Sequence, residues 1–481
     1  MARFERTASA AQMHDLENAM GEIWDVATAQ GLDPFPTHFE VVPAAIMYEL
    51  GAYGIPGRFS HWTHGKAFWH MKTMYDYGLS KIYELVINTN PSLAFLLENN
   101  STLENKMVMA HVLGHTDFFK HNMYFDHTSR QMVESASLNA ERIARYEFEH
   151  GTLAVERFLD AVLSVRDHFS LPSPATAVAT GRPQDNESTR TRTSPYDDLW
   201  SLDYKLSDEE ADAGSSRKIP PKPQRDLLQF LIDYSADLED WQRDVIAIVR
   251  QEQLYFLPQM QTKIMNEGWA SYWHYKIMNE VLDLSPAEMA QFGGLHAGVV
   301  SPGGRTRINP YYLGFRIFHD IEKRWDAPTS EQRDRLGREP GGGKAKIFEV
   351  RESEDDQSFL RHYLTEDLIR EMDMYTYKLV DDTWQVVDTD WEKVRDALVR
   401  SMDNFGQPYI TVDDGDYRQN RELYLRHHFD GTEIDVRFAE KTLQYLYTLW
   451  NRSVHLETVI EEKRVRFSYD GRRNAKTVIN E

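Results

Sequence analysis

Residues 170 to about 222 interrupt a chain that otherwise reads as one helical segment after another. The stretch SLPSPATAVATGRPQDNESTRTRTSPYDD is rich in Ser, Thr and Pro and poor in large apolar residues. Such a stretch cannot bury enough surface to order itself, so we read it as a flexible insertion. Any core must close across it, from the segments on either side. With 481 residues the chain is also longer than one compact core usually holds. The expected architecture is mainly α with α+β parts. A main, mostly helical domain occupies residues 1–384, interrupted by the 170–222 insertion, and a small α+β domain occupies 385–481.

Periodicity supplies the elements. Residues 8 to 32 place Met13, Leu16, Met20, Ile23 and Val26 near a 3.6-residue repeat, which predicts a helix. YELVIN is a strand-like run closed by Asn-Pro, and SLAFLL after it reads as one turn of helix. Ser101 with Glu104 three residues on predicts a capping box that opens the next helix. Residues 131–169 read as a single long helix, and further helices follow Asp226, Pro258 and Asn309. SFLRHYLTEDLIREMDMYTY also reads as helical. In the last hundred residues, ELYLRHHF and KRVRFSYDG alternate and end near Asp-Gly turns, with the helical AEKTLQYLYTLWNR between them.

Composition excludes several classes. The net charge is −22, which argues against nucleic acid as a partner, because phosphate contacts need clustered Lys and Arg. There is no cysteine, so disulfides, thiol catalysis and thiolate ligands are all absent. No stretch approaches the roughly 18 apolar residues that span a bilayer, and the N-terminus lacks a signal-peptide core. The expectation is a cytoplasmic protein with no membrane span.

Chemistry concentrates in a few stretches. MAHVLGHTDFFKHN sets His111 and His115 four apart on one helix face, the spacing at which a helix offers two imidazoles to one metal. Two ligands do not hold a metal, so the pair alone is also compatible with packed core histidines. IMNEGWASYWHY adds Glu267, with His274 two turns on and the small residue Ala270 between. In one zinc-hydrolase architecture, the gluzincin-like one, two histidines come from one helix and a carboxylate from a later one. His111, His115 and Glu267 are therefore the candidate ligands for Zn²⁺ or another divalent transition metal. The protease pattern H-E-x-x-H has Val112 where its glutamate would be, and valine takes no proton. Candidates for the base are Asp117, Glu147, Glu149, His150 and His274. Glu147 and His150 also form an E-x-x-H pair, half of what a di-metal carboxylate bundle needs. In GLHAGVVSPGGRTRINPYYLGFRIFHDIE, His296, Tyr311 and Tyr312 can stabilise an oxyanion, although helix capping and packing explain the same residues. The loop GIPGRFSHWTHGKAFWH, with Arg58, His61, His64 and Lys66, is either a substrate-binding wall or a folded plug.

Taken with YDYGLSKIYELVINTNPSLAFLLENN and SFLRHYLTEDLIREMDMYTY, these motifs resemble the SpoVR family, the stage V sporulation protein R-like proteins. The resemblance runs from about residue 10 to 470. It implies a link to spore cortex formation, the cell envelope and stress, and association with a PrkA-like serine kinase and a von Willebrand-type protein. Three readings remain open. The first is a metal-dependent hydrolase of amide bonds, acting on a peptide or peptidoglycan fragment. The second is a non-catalytic, metal-stabilised scaffold or kinase partner, and the third is a redox di-metal protein.

Overall fold

The structure is a computed structural model that describes residues 10–77, 84–170, 218–280, 284–304, 307–380 and 383–479. Most of the 170–222 insertion lies outside the described residues. The chain is mainly helical with a small C-terminal sheet. In order, the elements are α1 (Ala10–Ala29), β1 (Thr37–Val42), α2 (Ala44–Tyr53), α3 (Trp62–Asp76), β2 (Glu84–Ile87), β3 (Ser92–Leu97), α4 (Thr102–His121), α5 (Met132–His150) and α6 (Thr152–Leu163). Then come α7 (Leu227–Tyr234), α8 (Asp240–Gln261), α9 (Lys263–Glu280), α10 (Pro286–Val299), β4 (Gly303–Gly304), β5 (Arg307–Ile308), α11 (Pro310–Asp326) and α12 (Ser330–Leu336). They are followed by α13 (Gly343–Ser353), α14 (Asp356–Tyr363), α15 (Glu366–Glu371), β6 (Thr376–Val380), β7 (Thr383–Asp388) and α16 (Trp391–Met402). The last are β8 (Ile410–Tyr417), β9 (Glu422–His427), α17 (Val436–Trp450), β10 (Val454–Ile460), β11 (Lys463–Tyr469) and β12 (Asn474–Val478). Two compact units result: residues 1–145 with 255–406, and residues 146–254 with 407–481.

Three sequence expectations are corrected. SLAFLL is not a turn of helix but the strand β3, the centre of a three-stranded sheet ordered β1-β3-β2. It runs parallel to β1 and antiparallel to β2, and five of its six residues are buried. A strand paired on both edges and covered on both faces shows no alternation, so periodicity cannot separate it from a buried helix. The long helix of 131–169 is cut at Gly151, whose φ of 90° no helix tolerates, into α5 and α6. The helical run from 358 gives way to the two-stranded ribbon of β6 and β7.

In the first unit, α4 is the central element. The predicted capping box is present: Glu104 N–H donates to Ser101 Oγ, and Ser101 N–H donates back to the Glu104 carboxylate at 2.6 Å. From Met107 to Phe119 every residue of α4 is buried, so polar side chains there must be satisfied by other elements. α9 packs against α4 on one side and α11 on another. Both crossings are set by small residues. A Cβ on Gly114 would come within 2.7 Å of the Ala270 Cα, and one on Gly268 would strike the Gly314 backbone. Asp356 fixes where α9 starts, accepting from Ile264 N–H at 2.8 Å and Met265 N–H at 2.9 Å. Gly268→Ala therefore forces two backbones apart. It is expected to cost about 1–3 kcal/mol, read as a lower urea midpoint. An unchanged midpoint would show that the crossing is looser than described.

The second unit is built on a five-stranded sheet ordered β12-β11-β10-β9-β8. Only β9 and β10 run parallel; the other neighbours are antiparallel. The strands read from ELYLRHHF and KRVRFSYDG are β9 and β11. α17 lies against β10 and β11 and against α6, burying Leu443, Leu446 and Leu449. Among the described residues, no helix is long and apolar enough to cross a membrane.

Candidate metal centre

The close α4–α9 crossing turns two helix faces toward each other at one level. His111 and His115 meet edge-on, ring centroids 4.6 Å apart, each only 4% exposed. Glu267 comes from α9: its Oε2 lies 3.5 Å from His115 Nε2 and 3.7 Å from His111 Nε2. A fourth donor is Glu84 of β2, whose Oε1 is 3.4 Å from His111 Nε2. Glu84, His111 and His115 all offer ligand atoms within 4.8 Å of one another, the single such group among the described residues. Tyr311, in the first turn of α11, hydrogen-bonds Glu267 and stacks on His111 at 5.9 Å.

The outer sides of both imidazoles are engaged. His115 Nδ1 lies 2.9 Å from Asn266 Oδ1; because an amide oxygen only accepts, that nitrogen carries the proton and Nε2 is bare. His111 Nδ1 is 2.9 Å from His274 Nδ1, and His274 Nε2 is 2.8 Å from His296 Nδ1. Each contact holds one proton, so the three rings form a one-way chain. With His111 Nε2 bare, His111 donates to His274 and His274 donates to His296. Metal-binding histidines are commonly oriented by such partners.

Electrostatics single out the same atoms. Burial pushes Glu84 up to about 7, with His111 opposing and Glu267 adding to the rise. Burial disfavours charge on His111, yet Glu84 and Glu267 together raise it. Burial likewise works against an ionised Glu267, but His111, His115 and Tyr311 around it hold its carboxyl below the usual range. His115 and His296 are each pushed down to about 4, and His274 falls well below its ordinary value, by burial first and by His111 next. Of the two candidate ligands, His115 is thus neutral, in the form that ligates, while the carboxylates draw His111 toward its charged form. His111 Nε2 and Glu267 Oε2 are both buried with no hydrogen-bond partner. Such orphaned groups are costly, and here they face each other. Tetrahedral bonds of about 2.0–2.1 Å place neighbouring donors about 3.3–3.4 Å apart, close to the spacings present. The donor set fits a divalent transition metal.

The other candidates fall elsewhere. Val112 is fully buried in the main apolar cluster. Asp117 is committed to Arg351 at 2.7 Å, to Trp269 Nε1 at 2.9 Å and to the Asp33 N–H at 2.9 Å. His274 and His296 stand behind His111, on its Nδ1 side. Tyr312 turns away from the cluster, toward Arg316. Glu147, Glu149 and His150 belong to the second unit; His150 stacks on Trp241 at 4.8 Å. Of the 54–70 loop, His61 caps α3 and His64 packs on Tyr53, as a plug would. Sequence reasoning missed Glu84, although it is the only acid in YELVIN, the strand placed just before the histidine helix.

A model of the family described as SpoVR like protein matches residues 10–407. The chain belongs to the SpoVR family. A second family model, the SpoVR-like C-terminal domain, matches residues 408–461, which hold β8 to β10. Glu84, His111, His115, Glu267 and Tyr311 all lie within the longer SpoVR match. The chain is 30% identical to "Uncharacterized protein YcgB" of Escherichia coli (strain K12), across 93% of this chain and 92% of that protein. No solved structure matches it.

Proposed function

We propose that this SpoVR protein is a metal-dependent hydrolase of amide bonds with a gluzincin-like site. His111, His115 and Glu267 hold Zn²⁺, and Glu84 is the general base. The observation that carries this is the pair of buried, unpartnered atoms, His111 Nε2 and Glu267 Oε2, beside a second, half-buried carboxylate, Glu84. A bound Zn²⁺ supplies Lewis acidity and lowers the pKa of water. The chain's own residues do the rest. Asn266 and His274 hold the two imidazoles in the ligating tautomer. Tyr311 steadies Glu267 through its hydroxyl. Glu84 Oε1 accepts a proton inside the cluster, the work that Val112 cannot do. The base thus comes from a strand rather than from the residue after the first histidine. Peptides or peptidoglycan fragments are the substrate class, in keeping with the envelope link of the family.

The test is metal analysis of the purified protein, followed by peptide hydrolysis assays. About one zinc per chain is expected, lost in His111→Ala together with turnover. Wild-type protein that binds no divalent metal would overturn the reading. One observation favours a second: Glu84 approaches His111 as closely as a ligand would. A site closed by four protein donors is structural rather than catalytic. In that case the protein is a metal-stabilised scaffold, and a serine kinase of the PrkA type is the partner to look for.

A further inference from the structure

The first turn of α11 serves two places. Tyr311 reaches the donor cluster, and the next residues, Tyr312 and Leu313, line a separate cavity of about 700 Å³. That volume is in the range of small-molecule and peptide pockets. The β6–β7 ribbon contributes Tyr377 and Val386, which are cross-strand partners, together with Trp384, and Tyr375 lines it from just before β6. Ile308 and the β4 glycines line it as well. Much of this apolar surface is open: Trp384 is 50% exposed, Val386 48% and Ile308 38%. Exposed apolar surface of this kind marks a binding site rather than a core.

The chemistry of the lining narrows the occupant. In a chain with 76 acidic residues, the lining holds one carboxylate, Asp373. That carboxylate already accepts from the Tyr375 hydroxyl at 3.2 Å and no basic side chain lines the cavity, so the occupant is uncharged over this stretch. The strands beside the cavity pair only with each other, β4 with β5 and β6 with β7, so each leaves one edge unpaired among the described residues. An open strand edge offers alternating N–H and C=O groups, which an extended polypeptide satisfies. Alternate side chains of such a peptide would then fall between the aromatic rings of the lining.

We infer that this cavity is the peptide-binding subsite of the SpoVR chain. It takes an extended, uncharged, apolar peptide segment by strand addition and delivers the adjoining amide toward Glu84 and the histidines. The delivery rests on the hydrolase reading; the binding does not. The probe is an end-blocked, fluorescein-labelled hexapeptide of alternating leucine and threonine, followed by fluorescence anisotropy on the full chain. The expected result is saturable binding to wild type and equally to His111→Ala. Binding should be at least tenfold weaker in Trp384→Ala and in Val386→Lys, whose exposed positions leave folding intact, checked by unchanged circular dichroism. Binding that survives in His111→Ala while turnover is lost keeps the subsite whatever the metal's role. The inference is overturned if the wild type fails to bind the peptide, or if both groove variants bind it as wild type does. Displacement by a neutral oligosaccharide but not by unlabelled peptide overturns it too.

Discussion

Glu84→Gln is expected to lower amide hydrolysis by about 10²–10⁴-fold, the usual contribution of a general base, with metal content unchanged. Glutamine keeps the shape of the side chain and the strand position, so β2 stays paired to β3. What it loses is the ability to take a proton beside His111 Nε2, 3.4 Å away. It also removes the repulsion between two carboxylates that converge on one pair of imidazoles. Metal content and turnover must be read on the same preparation. Loss of both together identifies Glu84 as a fourth ligand and moves the protein to the scaffold reading. Wild-type turnover with wild-type metal removes Glu84 from the chemistry altogether.

Breaking the Asp117–Arg351 pair is expected to cost about 3–5 kcal/mol, because Asp117 loses its buried guanidinium and Arg351 keeps only the exposed Glu352, 2.8 Å away. Asp117 is fully buried and the Arg351 side chain is 3% exposed, so water cannot take over the lost contact. The carboxylate also accepts from the Trp269 indole and the Asp33 backbone, which leaves several donors stranded in Asp117→Ala. Through Asp117, Trp269 and Arg351 the pair joins α4, α9 and α13. Urea unfolding of Asp117→Ala and Arg351→Met should show the loss in each. The double variant Asp117→Leu with Arg351→Met should recover the part due to the lone charge, while the Trp269 indole and the Asp33 N–H stay without their acceptor. Single variants within about 1 kcal/mol of wild type would contradict the burial described.

What the sequence made legible was local. Ser101 and Glu104 announced the start of α4, four-residue spacing set His111 beside His115, and IMNEGWASYWHY offered Glu267 with the small Ala270 after it. From these, Glu267 could be paired with the histidines across 150 residues. What stayed hidden depended on partners distant in the chain. β3 looks like helix until β1 and β2 flank it. Glu84 looks like any strand acid until its strand is laid beside α4, because alternation gives two faces without saying which one meets a helix. The two roles of His274 and Asp117 were equally invisible: both are polar residues on helices, and only the fold decides whether they face the cluster or stand behind it.

The separation of these partners also sets a timetable. Asn266, which orients His115, is made 151 residues after it. At about 5–20 residues per second, a ribosome needs roughly 8–30 s to cover that distance. During that interval α4 has left the ribosome with its ligating face uncovered and its tautomers unset. A cation caught then would meet two mobile imidazoles, with no selectivity beyond their own. On the hydrolase reading the full donor set exists only after α9 has packed against α4. On that reading, α4 alone cannot select a metal, and uptake waits for α9, whose Asn266 is made 151 residues after His115.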